Sequence, residues 1–93
     1  MTGRKPLALL LACALAACVQ APVQEMSDAR QAIRAAEQVV ESPAERADLE
    51  AAMAALRGAE TALEDGRYDE ARRLANEARE QATRAREEAS RAR

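Results

Sequence analysis

The feature that most constrains this fold is a stripe of small residues at α-helical spacing. After Tyr68, seven alanines follow at alternating steps of three and four: Ala71, Ala75, Ala78, Ala82, Ala85, Ala89 and Ala92. That alternation keeps the stripe on one side of a helix. Two mixed stripes with the same steps precede it, one from Met26 to Val40 and one from Leu49 to Leu63. The pattern therefore predicts three helices, and strand-forming residues are too sparse for a sheet.

Helix-breaking residues indicate where these helices begin and end. Ser42-Pro43-Ala44-Glu45 is a capping box with proline at the first helical position. Gly66 supplies the positive φ that closes a helix. We predict helices at about 25–41, 43–64 and 67–91. Ser27 or Asp28 caps the first helix, unless that helix begins a few residues earlier. Such short connections favour an all-α, three-helix antiparallel bundle.

The predicted core is thin because the third helix presents alanine almost throughout. Leucines of the second helix would face those alanines in a large-to-small fit that brings the helices close together. Folding the chain back at Gly66 pairs Leu63 with Tyr68 and Leu49 with Ala82. In this register the third helix outlasts the second. We therefore expect Ala89–Arg93 to overhang, either frayed or covered by another chain.

The first 17 residues have the pattern of an export signal. Arg4 and Lys5 form a short basic start, and the 11 residues from Leu7 to Ala17 are all Leu, Ala or Cys. A spanning helix needs about 20 apolar residues, so this run is too short to be one. A buried amphipathic helix would show a polar face, and this run shows none. The pattern is therefore typical of a secretory signal peptide.

The residues that end this run resemble a bacterial lipobox. Leu15-Ala16-Ala17-Cys18 is an aliphatic residue, two small residues and a cysteine. The resemblance implies that the Cys18 thiol receives a diacylglyceryl group, that the signal is cut before Cys18, and that a fatty acid such as palmitate acylates the new amino terminus. Three chains would meet the requirement of about two signals for stable anchoring. The chain then divides into a signal peptide (1–17), a lipidated tether (18–24) and a helical domain (25–93).

Two other cleavage patterns stay open. Leu10-Leu11-Ala12-Cys13 is a second lipobox candidate, although cutting there leaves a shorter apolar run before the cut. An ordinary signal peptidase that cuts after Ala17 or Ala21 would leave no lipid. Val19 follows Cys18, and by resemblance to enteric lipoproteins a residue other than Asp there favours the outer membrane. We therefore expect a protein anchored to the outer membrane and facing the periplasm.

Composition argues against several classes of function. The chain has no His, the commonest general base and metal ligand, and its single aromatic residue, Tyr68, offers no stacking platform for single-stranded nucleic acid. Removing residues 1–17 takes Arg4 and Lys5 from the 14 basic residues, which leaves 12 against 16 acidic ones. A chain with this acidic net charge binds polyanions such as nucleic acids poorly. We therefore expect no enzymatic activity, no cofactor, no bound metal and no nucleic-acid partner.

Three smaller features have both a functional and a structural interpretation. Four carboxylates surround the second turn: Glu60, Glu64, Asp65 and Asp69. They can form a weak cation site, but their spacing matches no calcium loop. Four arginines lie near the end of the third helix: Arg84, Arg86, Arg91 and Arg93. They can contact anionic lipids or cell-wall polymers, and they also suit the helix dipole. Tyr68 is a contact residue or a bulky plug of the hairpin turn. In each case we favour the structural interpretation.

The second turn and the helix after it resemble part of a tetratricopeptide repeat. Gly66-Arg67-Tyr68-Asp69-Glu70-Ala71, followed by Leu74, Ala75 and Ala78, is similar to its turn and second helix. The preceding helix departs from the pattern, because Ala55, Gly58 and Ala62 stand where the repeat has large residues. Stacked arrays need about three repeats, and one is visible. The resemblance therefore implies a repeat-like helical hairpin.

Over its whole length the chain is similar to the small lipoproteins of domain-of-unknown-function family 4398 (DUF4398). The lipobox, Ser27-Asp28-Ala29-Arg30, an Ala/Leu helix and the segment from Gly66 to Ala75 carry this resemblance. It implies an envelope location and a helical fold, and it supplies no activity.

The alanine stripe also resembles that of murein lipoproteins, which form long helical trimers joined to peptidoglycan through a lysine. Here Pro43 and Gly66 interrupt a continuous helix, and no lysine follows Lys5. An arginine guanidinium stays protonated and cannot replace the lysine as nucleophile, so we expect no covalent attachment by that route.

Together these patterns predict a lipid-anchored periplasmic protein with a structural or adaptor role, held at the membrane by its lipid and bound to an envelope protein. One alternative is a self-associating alanine-zipper spacer, which would be a homo-oligomer. Another is a small modulator of an envelope enzyme.

Overall fold

A computed structural model describes residues 20–93, which form three helices joined by two short connections. They are α1 (Val23–Glu37), α2 (Pro43–Glu64) and α3 (Tyr68–Ala92). The prediction of an all-α three-helix fold is confirmed. The predicted signal peptide and Cys18 lie outside the described residues. None of the helices in the described part of the chain is both long and apolar enough to cross a membrane.

The predicted start of α2 is confirmed in detail. The Glu45 backbone N–H donates to Ser42 Oγ at 3.1 Å, and Ser42 Oγ donates to Glu45 Oε2 at 2.7 Å. The other carboxylate oxygen of Glu45 accepts the Glu41 backbone N–H at 3.1 Å. Pro43 stands at the first helical position, where its missing N–H costs nothing. Four residues therefore fix where the second helix begins.

The α2–α3 turn has the geometry that Gly66 predicts. Gly66 adopts φ +76°, a left-handed conformation that residues with a Cβ rarely adopt. Its N–H donates to the Leu63 carbonyl, and the Arg67 N–H donates to the Ala62 carbonyl at 2.8 Å. These two bonds form a Schellman motif, which satisfies the last carbonyls of α2.

The first helix begins a few residues before Ser27, as the second of the two predicted starts allows, and it ends earlier than predicted. It begins at Val23 after Pro22, so neither Ser27 nor Asp28 caps it. It ends at Glu37 rather than near Glu41, and the N–H groups of Val39 and Val40 donate to the Ala36 carbonyl. Two β-branched residues in succession weaken the helix there, and the Glu41 N–H is taken by Glu45.

α3 lies at the centre of the packing. It contacts α2 along most of its length, α1 rests mainly against α3, and α1 touches α2 only slightly. Six alanines of α3 are completely or almost completely buried: Ala71, Ala75, Ala78, Ala82, Ala85 and Ala89. Because alanine is small, both neighbours approach α3 closely. Only the final member of the predicted stripe, Ala92, is exposed.

Larger side chains pack with the alanine seam in two clusters, one towards each end of the bundle. At the α2–α3 turn end, Met26 packs with Ala59 and Ala75. At the other end, Ile33 and Leu49 pack with Ala82. Leu56 touches both clusters and joins them into one core. α1 therefore runs parallel to α3, and α2 runs antiparallel to both.

The prediction that Ala89–Arg93 overhangs is wrong. Ala89 is 1% exposed, and Arg93 donates to the Val39 carbonyl in the connection between α1 and α2, while residues 90–92 are exposed. The early end of α1 leaves residues 38–42 free to cross over this position. The alanine stripe therefore packs against the other two helices of the same chain.

Candidate functional surfaces at the two ends of the bundle

One end of the bundle holds the chain that follows the predicted lipidation site. Arg72, one turn into α3, donates from Nη2 to the Gln20 carbonyl at 3.2 Å. Its Nε lies 3.6 Å from Glu25 Oε1, so the same guanidinium also contacts α1. Pro22, between these two contacts, is fully buried. Residues 20–25 are therefore fixed beside the start of α3. We call the end that contains Gln20, Gly66 and Tyr68 the tether end.

Three of the four carboxylates of the predicted cluster pair with arginines, and the fourth, Glu64, is exposed at the end of α2. Glu60 lies 3.7 Å from Arg30, Asp65 lies 3.2 Å from Arg67, and Asp69 lies 3.3 Å from Arg72. Among residues 20–93, no group of three His, Cys, Asp or Glu side chains is placed to hold a metal ion. These carboxylates thus form surface ion pairs at a charged helix end, and each such pair is worth little in stability.

Tyr68 does not plug the hairpin turn as predicted. It is the first residue of α3, and its exposed fraction is 37%. Val23, the first residue of α1, is 68% exposed at the same end. At this position the Tyr68 side chain lies on the surface rather than inside the turn. The tether end therefore carries two large apolar side chains in contact with solvent.

The opposite end contains a buried carboxylate that the sequence analysis did not identify. Glu45 is 5% exposed, and Arg93 Nη2 donates to its Oε1 at 2.9 Å. The same nitrogen donates to the Val39 carbonyl at 3.1 Å, and Arg93 Nε lies 3.1 Å from Glu41 Oε2. Arg93 therefore joins the end of α3 to the α1–α2 connection and to α2. We call this group the arginine staple.

Hydrogen bonding within the staple changes the acidity of Glu45. The Arg93 guanidinium, then the Ser42 hydroxyl and the Glu41 N–H, stabilise the carboxylate and lower its pKa from 4.5 to about 2. One signal for this site is visible in the sequence. Glu45 stands four residues before Leu49 on the buried stripe of α2, where a carboxylate requires a partner.

The four arginines of the predicted tail have different surroundings. Arg93 is part of the staple, and Arg91 lies 3.9 Å from Glu87 in the last turns of α3. Arg84 and Arg86 lie on the exposed face of α3. That face has shallow, open depressions lined by alternating charges, including those of Arg79, Glu80 and Arg84. The tail is thus an ordered, mixed-charge helix end.

The fold and these surfaces define a class of protein. It is a small three-helix bundle, packed on alanine, whose chain is held at one end by Arg72 and closed at the other by Arg93.

A family model, "Domain of unknown function (DUF4398)", matches residues 24–93, which is most of the chain and all three helices. The protein therefore belongs to the DUF4398 family, as the sequence resemblance implied. No curated protein and no solved structure matches the chain.

Proposed function

We propose that this protein is a lipoprotein of the bacterial cell envelope, anchored through Cys18 to the outer membrane and facing the periplasm. The observation that carries the proposal is the Leu15-Ala16-Ala17-Cys18 motif directly after an 11-residue apolar run. The contact between Arg72 and the Gln20 carbonyl shows where the chain from Cys18 would reach the folded domain. Because only Val19 separates Cys18 from Gln20, an anchor at Cys18 would join the folded domain almost directly.

The helical domain then serves a structural or adaptor role by binding an envelope protein. α3 has 25 residues, so its axis is about 37 Å long at 1.5 Å per residue. A bundle anchored at the tether end can present a partner surface at up to that distance. The exposed face of α3, with Arg79, Glu80, Arg84 and Glu87, suits a polar partner of mixed charge. The alanine stripe of α3 is buried within the bundle, which disfavours the alternative of a self-associating alanine-zipper spacer.

Membrane fractionation tests the anchor. The wild-type protein should sediment with outer membranes, and Cys18→Ser should abolish this attachment because the acylated thiol is gone. Cys13→Ser is the matched control, since it alters the other cysteine of the signal. If Cys13→Ser releases the protein and Cys18→Ser does not, the lipidation site is misassigned. If the protein also stays on the membrane when Cys13→Ser and Cys18→Ser are combined, the lipid anchor is excluded.

Site-specific photo-crosslinking in intact cells tests the adaptor role. A photoreactive residue at Thr83, on the exposed face of α3, should give a reproducible crosslink to one envelope protein. The same residue at Gln31, on the exposed face of α1, is the comparison that locates the partner. Crosslinks only to copies of the same chain would favour the spacer. An absence of reproducible crosslinks from both helices would contradict the adaptor role.

A further inference from the structure

The large apolar side chains on the surface of the described residues are unevenly distributed. Val23 is 68% exposed and Tyr68 is 37% exposed, and each is the first residue of its helix. Because α1 and α3 run parallel, both residues lie at the tether end. Val39, which is 36% exposed, lies in the α1–α2 connection at the far end. The tether end is therefore the end with the larger exposed apolar surface.

Tyr68 is close to the point where the chain leaves toward residue 18. Tyr68 and Arg72 are four residues apart on α3, so they are neighbours on one helix face. Arg72 in turn binds the Gln20 carbonyl at 3.2 Å. Two residues of extended chain span at most about 7 Å, so an anchor on Cys18 would be joined to Gln20 by a very short tether. A lipid on Cys18 would thus enter the bilayer at the tether end, the end that also carries Tyr68.

The chemistry of this surface fits the interfacial region of a bilayer. Tyrosine is enriched there because its ring is apolar and its hydroxyl remains in contact with water and headgroups. The charges of this end select among headgroups. Residues 20–29 and 64–73 together hold six acidic and three basic side chains. An acidic end is repelled by anionic lipids and tolerates zwitterionic ones.

We propose that the tether end is a membrane-contact surface, on which Val23 and Tyr68 rest in the headgroup region of zwitterionic lipid. The bundle then stands upright, with the arginine staple about 37 Å away along α3. This inference rests on the proposed anchor at Cys18, and it adds an orientation that a lipid anchor alone does not impose.

Depth-dependent fluorescence quenching tests the orientation. The full chain is purified from membranes as Tyr68→Trp and as Val39→Trp, since the wild type has no tryptophan. Intact mass first shows that both variants carry three acyl chains, and circular dichroism shows that both are helical. Each is then placed in phosphatidylcholine vesicles whose acyl chains are brominated near the glycerol. We expect loss of emission for Tyr68→Trp and no loss for Val39→Trp.

The outcomes separate this inference from the anchor itself. Unquenched emission from both acylated variants would overturn the contact surface and leave the anchor intact. Equal quenching of both would show a bundle lying flat, which also overturns the proposal. A mass without acyl chains would instead refute the proposed function.

Lipid charge provides a second measurement on the same variants. Quenching of Tyr68→Trp should be weaker in phosphatidylglycerol vesicles than in phosphatidylcholine vesicles. Added salt should reduce the difference, because it screens the repulsion. Stronger quenching in phosphatidylglycerol would contradict the predicted headgroup preference.

Discussion

Glu45 is the residue whose environment departs most from what its position in the sequence suggests. It caps α2, lies buried, and binds Arg93 from 48 positions along the chain. The cap is predictable because Ser42, Pro43 and Glu45 lie within four residues of one another, and a helix cap is formed by residues close together in sequence. The partnership with Arg93 is not predictable, because no local pattern specifies which distant cation reaches a buried carboxylate.

The arginine staple predicts a pH dependence of stability. The pKa of Glu45 is lowered from 4.5 to about 2, so its contribution is fully present above about pH 4.5 and is lost as the pH falls towards 2. Glu45→Gln should flatten the pH dependence in this range. Urea unfolding followed by circular dichroism between pH 6 and 2 measures the effect.

Glu50→Gln is the control for this measurement, since Glu50 is exposed on the same helix. We expect this variant to follow the wild-type curve. If Glu45→Gln and wild type lose stability in parallel below pH 4.5, Glu45 is not the group responsible.

The backbone conformation of Gly66 leads to a second prediction, about the free energy of unfolding. Its φ of +76° disfavours any residue with a Cβ, while the space around it is open. Gly66→Ala should therefore lower the free energy of unfolding by about 1 kcal/mol, through backbone strain alone. Gly66→Asn should cost less, because asparagine tolerates the left-handed conformation.

Gly58→Ala is the comparison for Gly66, because Gly58 lies in the middle of α2. Alanine is the better helix former by about 1 kcal/mol. The new methyl would lie 3.3 Å from Leu74 Cδ1, and the half-buried Leu74 side chain must shift to admit it. We expect a smaller change than for Gly66→Ala. An equal loss at both positions would contradict strain as the cause.

At the scale of elements, the alanine seam of α3 decides how closely the helices pack. Ala82 is fully buried between Ile33 of α1 and Leu49 of α2. Ala82→Leu should force the helices apart and cost about 1–3 kcal/mol of unfolding free energy. Thr83→Leu, one position along on the exposed face, should have little effect. Urea denaturation of both variants measures the difference, and equal effects would contradict close packing at the seam.

The elements themselves are largely readable from the sequence, because local chemistry marks their ends. Pro43 begins α2 and Gly66 follows its end, both as predicted. The end of α1 is not marked in this way. Residues 38–41 continue the apolar spacing, yet the chain leaves the helix so that it can cross the end of α3. Tertiary contacts with Arg93 and Glu45 decide where α1 ends. The spacing of apolar residues along the sequence carries no information about these contacts.

At the scale of the whole molecule, the sequence does not determine which helices pack against each other. Short connections predict that successive helices are neighbours, yet α1 packs mainly on α3. Alanine explains this arrangement, since its small side chain allows both α1 and α2 to approach α3. It follows that the stripe which resembles an alanine zipper has its partners within the same chain.

The difference between the two ends of the bundle follows from the same arrangement. The chain arrives at the tether end beside Gln20, where Arg72 holds it, and the arginine staple closes the opposite end. An anchor at Cys18 would therefore give the bundle a membrane-facing end and a distal end. We therefore propose a lipid anchor at the membrane-facing end of the bundle.

The intact mass of the protein extracted from membranes, measured beside that of the Cys18→Ser variant, tests this anchor. We predict a mass equal to residues 18–93 plus a diacylglyceryl group and one further acyl chain, absent from the variant. A mass that corresponds to an unmodified chain cut after Ala17 or Ala21 would contradict the anchor, and with it the membrane-facing end.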